Sequence, residues 1–310
     1  MMLIEEKYMS RCLQLAAYGC GFTAPNPMVG AVIVHRGKII GEGFHRKYGD
    51  AHAEVNAIAS VKEEQFLKES TLYVNLEPCS HQGKTPPCAD LIIRKQIPTV
   101  VIGQIDPFPE VSGKGIKKLR EAGVEVVCGI MEKECRRLNK HYLTFIEERR
   151  PYIILKWAQS ADGFTDRLRE AGDGRKPVKF SDAFTQMLVH KLRAETAAVM
   201  VGKRTELLDN PALNVRFWNG NDPERIVADR SKSLQTLLRE LYEKRIQSLI
   251  VEGGSKLLQA FLAEDLWDEA RVEISPVLLG EGALAPALPE GALENVQQYE
   301  NSTVFLYAKR

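Results

Sequence analysis

Two successive α/β domains are predicted, spanning residues 1–147 and 148–310. The length of 310 residues suits two hydrophobic cores of about 150 residues each. Helical and strand-like patterns alternate along both halves, as expected for mostly parallel sheets covered by helices. The pair Arg149-Arg150 before Pro151 supplies a polar boundary between the two domains.

In the first half, apolar spacing and glycine or proline breaks define each element. Residues 3–20 have a helical spacing that ends at Gly19–Gly21, and residues 29–44 alternate as a hairpin. The remaining elements are, in order, helix 52–61, strand 71–76, helix 88–95, strand 99–103, helix 112–122, strand 124–128 and a closing helix 131–148.

The second half repeats the alternation of strands and helices. Its predicted elements are strand 152–156, helix 182–195, strand 197–202, strand 225–229, helix 234–245, strand 247–251 and helix 255–264. Residues 166–180 are rich in Arg, Gly and Pro, which indicates a mobile loop between the first strand and the first helix.

Composition and charge exclude several classes of protein. Hydrophobic residues make up 44% and charged residues 27% of the chain, an ordinary globular mixture, and no apolar run approaches the roughly 18 residues of a membrane span. The net charge of +1 disfavours a protein that coats nucleic acid, because phosphate binding usually requires a basic excess.

The acidic start of the chain lacks the order of a signal peptide, so a cytoplasmic protein without a membrane partner is expected. Six cysteines in a reducing compartment indicate buried thiols or metal ligands.

The strongest chemical pattern in the first half is a His-x-Glu motif at His52 and Glu54. It is followed by a Pro-Cys motif at Cys79 and, after eight intervening residues, by Cys88. A catalytic zinc takes three protein ligands and keeps a fourth position for water, and one imidazole with two thiolates forms such a set. Predicted helix starts beside these residues favour ionised thiols. The pattern predicts Zn²⁺ bound by His52, Cys79 and Cys88, with Glu54 transferring protons.

Two other interpretations of these residues stay open at this point. A single histidine is commonly a satisfied core or surface residue, and scattered cysteines are commonly buried thiols. A structural zinc would need four Cys or His ligands, whereas three fall into this pattern with a carboxylate beside them. The order of the motifs on alternating strands and helices favours the catalytic site.

At these residues the sequence resembles the cytidine-deaminase-like zinc deaminases, and more narrowly the deaminase half of the bifunctional riboflavin-biosynthesis deaminase/reductase family. Nucleic-acid-editing deaminases usually keep two residues between their paired cysteines, whereas residues 80–87 stretch this gap to eight, as in the riboflavin branch. Further matches are Ala-Pro-Asn-Pro-Met-Val-Gly at 24–30, Gly-Phe-His at 43–45 and Asp-Pro at 106–107. The resemblance implies a cytidine-deaminase-like α/β/α domain over nearly all of residues 1–147.

The same resemblance implies which residues contact a pyrimidine ribose phosphate substrate. Asn26 and His45 would contact the pyrimidine side, and His81 and Lys84 would contact the substrate from the eight-residue insert. A lysine is a suitable point charge for a phosphate, and a histidine can donate to an oxygen. The alternative for Lys84 is a solvated loop lysine.

Three motifs in the second half follow predicted strands. They occupy residues 155–163, residues 202–213 and residues 249–255, the last containing Gly253-Gly254. Ligands gather at the carboxyl ends of strands in α/β sheets, and glycines at a strand-to-helix turn let backbone N–H groups approach a phosphate. No Gly-x-Gly-x-x-Gly pattern is present, so a standard Rossmann domain is not expected. Each motif alone is equally consistent with a turn.

Together these motifs resemble the reductase half of the same family, whose fold is similar to dihydrofolate reductase and whose cofactor is NADPH. The resemblance implies six cofactor contacts: Ala158, Thr205, Asp209, Gly253, Gly254 and Ser255. It implies four residues that hold the substrate: Arg193, Leu213, Arg216 and Glu252. Two arginines suit bidentate phosphate binding, and Lys156 is the candidate for polarising or protonating the opened sugar. Lys156 and Arg193 could instead be surface charges.

Two departures from the family pattern concern the second half. Residues 178–181 read Val-Lys-Phe-Ser, where the family usually has a tryptophan before the helix at 182–195. The stretch between residues 230 and 248 is short, where the family normally places another strand. Either an edge of the domain is lost or residues are missing from the sequence, and a genuine loss would affect NADPH affinity most.

The sequence therefore predicts a bifunctional enzyme that acts on a small molecule and forms a homo-oligomer. The resemblance implies deamination of 2,5-diamino-6-ribosylamino-4(3H)-pyrimidinone 5′-phosphate in the first domain and reduction of its ribosyl group to ribityl in the second. One alternative is a deaminase whose second domain is a non-catalytic dimerisation module. Another is a nucleic-acid-editing deaminase, which the near-neutral charge and the eight-residue insert disfavour.

Overall fold

The computed structural model describes residues 4–80, 86–170, 174–229, 231–288 and 293–309. It divides the chain into two compact units, Met1–Glu148 and Arg149–Arg310, one residue beyond the boundary that the sequence suggests. Within the described ranges, none of the helices combines the length and the apolar character that crossing a membrane requires.

The first unit is built on a five-stranded sheet in the order β2-β1-β3-β4-β5. Its elements are α1 (Glu6–Ala17), β1 (Gly30–His35), β2 (Lys38–Phe44), α2 (Ala53–Ala59), a 3₁₀ helix (Glu64–Glu69), β3 (Thr71–Leu76), α3 (Cys88–Arg94), β4 (Thr99–Gln104), α4 (Lys114–Glu121), β5 (Glu125–Cys128), α5 (Glu132–Leu138) and α6 (Lys140–Glu147). The β1 strand pairs antiparallel with both β2 and β3, whereas β3, β4 and β5 are parallel. The expectation of a mostly parallel sheet therefore holds for only half of this sheet.

Helices cover both faces of this sheet, because successive side chains of each strand point to opposite sides. Ala31 and Ile33 of β1 contribute to a core shared with α2, α3 and α4. Val32 and Val34 contribute to a second core, shared with α1 and α5. The predicted α/β/α layering is confirmed.

The prediction of one continuous closing helix over residues 131–148 is wrong, because the chain forms two helices there, α5 and α6. Asn139 lies between α5 and α6 and is almost fully buried. Its side-chain oxygen accepts from the backbone N–H of Met28 at 2.8 Å, and its amide nitrogen donates to the Met28 carbonyl at 3.0 Å. An asparagine that bonds elsewhere on the chain favours a helix end over a helix interior.

The second unit contains a seven-stranded sheet in the order β13-β14-β11-β6-β10-β8-β9 and a two-stranded sheet of β12 and β7. Its elements are β6 (Tyr152–Gln159), β7 (Phe164–Asp166), α7 (Ala183–Ala194), β8 (Ala198–Gly202), α8 (Lys203–Asp209), β9 (Glu224–Ala228), α9 (Leu234–Glu243), β10 (Ser248–Val251), α10 (Ser255–Ala263), β11 (Glu269–Ile274), β12 (Ala283–Leu284), β13 (Leu293–Gln298) and β14 (Thr303–Ala308). The pairings from β11 through β6, β10 and β8 to β9 are parallel, and β14 is antiparallel to β11 and β13.

The short stretch before residue 248 forms a compact connection. The β9 strand is the edge of the sheet, and Ser233 begins α9 by accepting a hydrogen bond from the Thr236 N–H at 3.2 Å. The α9 helix buries four leucines, Leu234, Leu237, Leu238 and Leu241. In the described residues between β9 and β10 there is one helix and no additional strand, so the chain crosses back to the sheet directly.

Gly30 is where the packing of α1 on the first sheet is tightest. A Cβ atom at this position would lie 2.1 Å from the Cys12 carbonyl oxygen and 2.8 Å from the Ala16 nitrogen, both backbone atoms of α1. Gly30→Ala should therefore lower the free energy of unfolding of the first unit by about 1–3 kcal/mol, the usual cost of overpacking. Urea denaturation measures this change.

The matched control is Gly202→Ala, because a Cβ atom there would have no neighbour closer than 3.7 Å. It should leave the free energy of unfolding of the second unit unchanged within about 0.5 kcal/mol. Equal stability of the Gly30→Ala variant and the native chain would contradict the close contact between α1 and β1.

Candidate metal centre and active sites

The candidate metal ligands meet at one edge of the first sheet because of its topology. The β2 and β3 strands are both antiparallel to β1, so they run in the same direction and end at the same edge. His52 follows β2 as the residue that begins α2, Cys79 follows β3, and Cys88 is the first residue of α3. The sequence-predicted residues His52, Cys79 and Cys88 are therefore brought together from three positions on the chain.

The three ligand atoms lie close enough to share one ion. The Nδ1 atom of His52 is 3.5 Å from Cys79 Sγ and 3.3 Å from Cys88 Sγ, and all three atoms fall within 4.8 Å of one another. His52 and Cys79 are half-buried and Cys88 is buried. One imidazole nitrogen and two thiolates form a donor set that suits zinc and is one ligand short of a closed structural site.

Hydrogen bonds within the cluster favour a thiolate. The pKa of Cys79 is lowered to about 4, because the Cys88 side chain and the His52 ring donate to its sulfur and outweigh the opposing effect of burial. The Cys88 backbone N–H also points at this sulfur, at 3.3 Å. The same interaction with Cys79, reinforced by burial, raises the pKa of Cys88 well above its usual value. The residues thus provide at least one preformed anionic sulfur ligand.

Glu54 is a buried carboxyl group in the first turn of α2, as the second residue of that helix. Only 3% of its surface is exposed, and burial, assisted by the negative charge of Cys79, raises its pKa to about 6. A carboxyl group with a pKa near neutrality can both accept and release a proton under physiological conditions. Glu54 interacts electrostatically with Cys79 and His52, and its proton-transfer role stays a prediction.

Asn26 and His45 form a polar wall beside the metal ligands. The His45 ring is 2% exposed and lies edge-on to the His52 ring, with 5.6 Å between the ring centres. Its Nδ1 atom is 3.1 Å from the Ala51 carbonyl oxygen, and its Nε2 atom is 3.1 Å from Nδ2 of Asn26. A carbonyl can only accept, so Nδ1 carries the proton and Nε2 accepts from the Asn26 amide. Burial lowers the pKa of His45, which favours this neutral ring.

Two of the predicted substrate contacts, His81 and Lys84, lie outside the described residues. Their roles stay predictions. Sequence reasoning also missed Glu77, whose buried carboxylate is bonded to backbone N–H groups beside the metal ligands. A charged residue directly between an apolar strand and the Pro-Cys motif was the signal that could have revealed it.

In the second unit, Lys156 lies in a cross-strand row of charged side chains. It pairs in register with Arg271 of β11, and Glu252 follows the end of β10 on its other side. Burial lowers the pKa of Lys156, and the positive charges of Arg193 and Arg271 act in the same direction against the negative charge of Glu252. A lysine with a lowered pKa exchanges a proton more readily near neutrality.

Arg193 and Glu252 form a largely buried, bidentate ion pair, with side chains 11% and 7% exposed. The Nε and Nη2 atoms of Arg193 each donate to one Glu252 oxygen at 2.7 Å, and Nη1 donates to the Asn214 carbonyl at 3.2 Å. Burial acts to raise the pKa of Glu252, but the bonds from Arg193 and the charge of Lys156 lower it overall. Three of the five N–H groups of Arg193 are used in these bonds, and its role in holding the substrate stays a prediction.

The other two predicted substrate residues differ in exposure. Leu213 is 5% exposed, and its side chain joins a hydrophobic cluster with Tyr152 and Ile154. Arg216 is exposed: its guanidinium bonds to the Asn214 side chain, and its backbone N–H donates to His190 Nδ1 at 2.9 Å. Arg216 is therefore the one of the two predicted arginines whose charge faces solvent.

The predicted cofactor residues cluster at the carboxyl ends of β6, β8 and β10. Gly254 begins α10 with φ +69°, and a Cβ atom on it would lie 3.2 Å from Thr205 Oγ1. The hydroxyl group of Ser255 is 3.1 Å from that of Thr165. Ala158 lies near the end of β6, and Gly253 approaches Val201 so closely that a Cβ atom would be 2.9 Å from its side chain. A glycine turn at the start of a helix is suited to a phosphate-bearing ligand, because its backbone N–H groups can approach the phosphate.

Asp209 at the end of α8 has a partner that the sequence did not reveal. Arg169, 7% exposed, donates to Asp209 at 2.7 Å and through Nε to Asp166 at 2.7 Å. Asp166 also accepts from the Val178 N–H at 3.0 Å. The two ends of the segment 166–180, which the sequence predicts as a mobile loop, are therefore joined by the Asp166 carboxylate, and Arg169 links that carboxylate to Asp209.

Two further charged residues near Lys156 come from the chain beyond residue 264, where sequence reasoning assigned no elements. Glu273 is 1% exposed and accepts from the Ser181 and Ser302 hydroxyl groups at 2.6 and 3.0 Å. Arg271 buries its Nε and Nη2 atoms without a hydrogen-bond partner among the described residues. The signal was an alternation of charge within an apolar strand, Arg271-Val-Glu273.

Family models match both units. Residues 2–104 match the cytidine and deoxycytidylate deaminase zinc-binding region, and residues 151–304 match the RibD C-terminal domain. The riboflavin biosynthesis protein RibD of Aquifex aeolicus is 39% identical over 323 residues, covering 90% of this chain and 89% of that protein. The RibD protein of Escherichia coli is 35% identical over 335 residues, with 90% and 89% covered.

A solved structure is similar over both units. The diaminohydroxyphosphoribosylaminopyrimidine deaminase/5-amino-6-(5-phosphoribosylamino)uracil reductase of Thermotoga maritima superposes with a TM-score of 0.89 at 35% identity, covering 98% of each chain. One crystal form of Acinetobacter baumannii RibD gives a TM-score of 0.87 at 32% identity, also with 98% of each chain covered.

Removing one of the metal ligands tests the cluster directly. The native chain, dialysed against excess zinc and then against buffer, should retain one equivalent of the metal. Cys88→Ser should retain little, because a neutral hydroxyl group replaces a thiolate ligand. Elemental analysis by plasma mass spectrometry measures the zinc content.

Cys128→Ser is the control, since Cys128 is a half-buried cysteine at the end of β5 that does not belong to the cluster. It should keep the native zinc content. Equal zinc in the Cys88→Ser variant and the native chain would show that the metal binds elsewhere.

Proposed function

The chain belongs to the RibD family of riboflavin biosynthesis proteins, and we propose that it catalyses two reactions on one pyrimidine ribose phosphate. The first unit deaminates 2,5-diamino-6-ribosylamino-4(3H)-pyrimidinone 5′-phosphate by hydrolysis, and the second reduces the ribosyl group of the product to ribityl with NADPH. The observation that carries the first assignment is the convergence of one imidazole and two thiols beside a buried carboxyl group, Glu54.

In the first unit, His52, Cys79 and Cys88 would hold zinc, which when bound lowers the pKa of a coordinated water to about 7. Glu54 takes a proton from the attacking water and passes a proton to the exocyclic amino group. The carbon–oxygen bond forms, the carbon–nitrogen bond breaks, and ammonia leaves. The pKa of about 6 allows Glu54 to act in both directions.

The pyrimidine ring would be oriented by the polar wall next to the metal ligands. His45 is held in one tautomer by the Ala51 carbonyl, and it in turn fixes the Asn26 amide. A fixed amide presents its oxygen in one direction, which selects a donor on the substrate ring. His81 and Lys84 are proposed to contact the substrate from the insert, with Lys84 facing the phosphate.

In the second unit, the turn Gly253-Gly254 and Ser255 would receive a phosphate of NADPH at the start of α10, next to Thr205 and Ala158. The bound cofactor supplies the hydride. Lys156 provides a proton to the sugar oxygen as the carbon is reduced, and Glu252, held by Arg193, fixes the position of the lysine charge. Leu213 and Arg216 are proposed to border the substrate, and Asp209 the cofactor.

The alternative of a deaminase with a non-catalytic second unit is not favoured. The similarity to the RibD protein of Aquifex aeolicus covers 90% of the chain at 39% identity, and Lys156 within β6 and Glu252 after β10 lie on neighbouring strands, with the glycine turn following Glu252. A cytoplasmic location and a homo-oligomeric state stay predictions, the latter for light scattering to test.

Glu54→Gln should abolish ammonia release while zinc stays bound. The amide is close in size to the carboxyl group but cannot accept and release a proton, so the deamination rate should fall by at least about 10²–10⁴-fold. Ammonia release measured with the diaminopyrimidine substrate, together with zinc analysis, tests this expectation. Ammonia release at the native rate would assign proton transfer to another group.

Lys156→Met should remove NADPH oxidation and leave deamination intact. The apolar side chain keeps the length of the lysine but has no proton to give, so reduction of the deaminated substrate should slow by about 10²–10⁴-fold. Absorbance at the nicotinamide band follows the reaction. Glu54→Gln supplied with deaminated substrate is the matched control and should oxidise NADPH normally. Native NADPH oxidation by Lys156→Met would contradict the proton role.

A further inference from the structure

Glu77 lies between the end of β3 and the turn that carries the ligand Cys79, and its carboxylate is 4% exposed. One oxygen accepts from the Gly115 and Ile116 N–H groups at 2.9 and 3.2 Å. The other accepts from the Gly113 N–H at 3.0 Å and from the Asp106 N–H at 3.4 Å. The Gly113, Gly115 and Ile116 N–H groups lie at the start of α4, where backbone donors have no partner within the helix.

The start of α4 also touches the turn directly. A Cβ atom on Gly115 would lie 2.1 Å from the Pro78 carbonyl oxygen and 3.2 Å from the Glu77 carboxylate. The helix can approach this closely only because residue 115 is a glycine. The backbone at Glu77 and Pro78 is thus held by bonds and by contact, immediately before Cys79.

Cys79 is held on its other side by the start of α3. Its carbonyl oxygen accepts from the Ala89 N–H at 3.1 Å, and its sulfur accepts from the Cys88 N–H at 3.3 Å. The ligand therefore sits between two anchors, one made by α3 and one made by Glu77. The α3 anchor includes a metal ligand, whereas α4 contributes none, so Glu77 is the group that connects α4 to the metal centre.

We propose that Glu77 is a positioning residue for the metal centre: it fixes the turn at Pro78 and Cys79 against the start of α4, and so sets the place of the Cys79 sulfur relative to His52 and Cys88. This inference rests on the proposed function, in which these three residues bind zinc. Groups that orient metal ligands from outside the coordination sphere typically change metal affinity by about 10–100-fold when they are replaced.

Glu77→Gln separates this role from simple space filling. Glutamine has nearly the same shape, but one of its two oxygens becomes an NH₂ group that faces backbone N–H donors. Either the pair at Gly115 and Ile116 or the N–H of Gly113 then loses its acceptor. We expect the turn to move away from α4 and to carry the Cys79 sulfur with it.

The experiment is a zinc competition titration against a chromophoric chelator with the full-length chain. Glu77→Gln should weaken zinc binding by about 10–100-fold, and Gly115→Ala, which pushes α4 away from Pro78 while keeping the carboxylate, should weaken it to a similar extent. With cobalt in place of zinc, both variants should also change the sulfur-to-metal absorption bands, which report on the thiolate ligands themselves.

Leu67→Ala is the matched control for lost stability, because Leu67 is a fully buried core residue of the 3₁₀ helix, outside the metal site. It should destabilise the first unit by about 2–5 kcal/mol, yet keep native zinc affinity and native cobalt bands at temperatures where it is folded.

Zinc affinity within twofold of the native value in folded Glu77→Gln, with unchanged cobalt bands, would overturn the inference. So would equal weakening in Leu67→Ala, since the effect would then be one of stability alone. Failure of the native chain to bind zinc would instead refute the proposed function, so the two failures are distinguishable.

Discussion

The constraint on which the first unit depends is that three ligand atoms from separate stretches of chain must reach one point. Two strands that run in the same direction on either side of β1 end at one edge of the sheet, and the residues that follow them turn toward each other. Gly43 contributes to this arrangement, because a Cβ atom there would lie 2.3 Å from the Ala57 nitrogen of α2. The helix that begins at His52 can therefore lie directly against β2.

The two units use a buried glutamate in opposite ways. Among the residues that the structure describes, no cationic side chain donates a hydrogen bond to Glu54, and burial raises its pKa to about 6. Glu252 is also buried, but the bidentate bonds from Arg193 lower its pKa and keep it charged. The environment thus lets one carboxyl group exchange a proton near neutral pH and keeps the other as a fixed negative charge. Lys156, next to Glu252, is the group that we propose to exchange a proton in the second unit.

Much of the fold and of the metal site could be predicted from local patterns. The hairpin of β1 and β2, the strand at 71–76 and the ligands His52, Cys79 and Cys88 follow from alternation, glycine positions and motif spacing, all of which are local in sequence. The break between α5 and α6 could not be predicted, because it depends on the contact of Asn139 with Met28, 111 residues away.

The second active site was harder to predict for the same reason. Arg169 is buried only because Asp166 and Asp209 converge on it, and Arg271 reaches Lys156 only through the pairing of β11 with β6. Both are contacts between distant parts of the chain that no local pattern encodes. Residue type indicated a phosphate role for Arg193, whereas the structure engages its guanidinium with Glu252.

X-ray absorption spectroscopy at the zinc edge, on the zinc-loaded chain, tests the central claim most directly. The account predicts a coordination shell of two sulfur atoms at about 2.3 Å and two lighter atoms at about 2.0–2.2 Å, one of them an imidazole nitrogen and the other an oxygen that the protein does not supply. A shell filled by four cysteine or histidine ligands, or one that lacks two sulfur atoms, would contradict it.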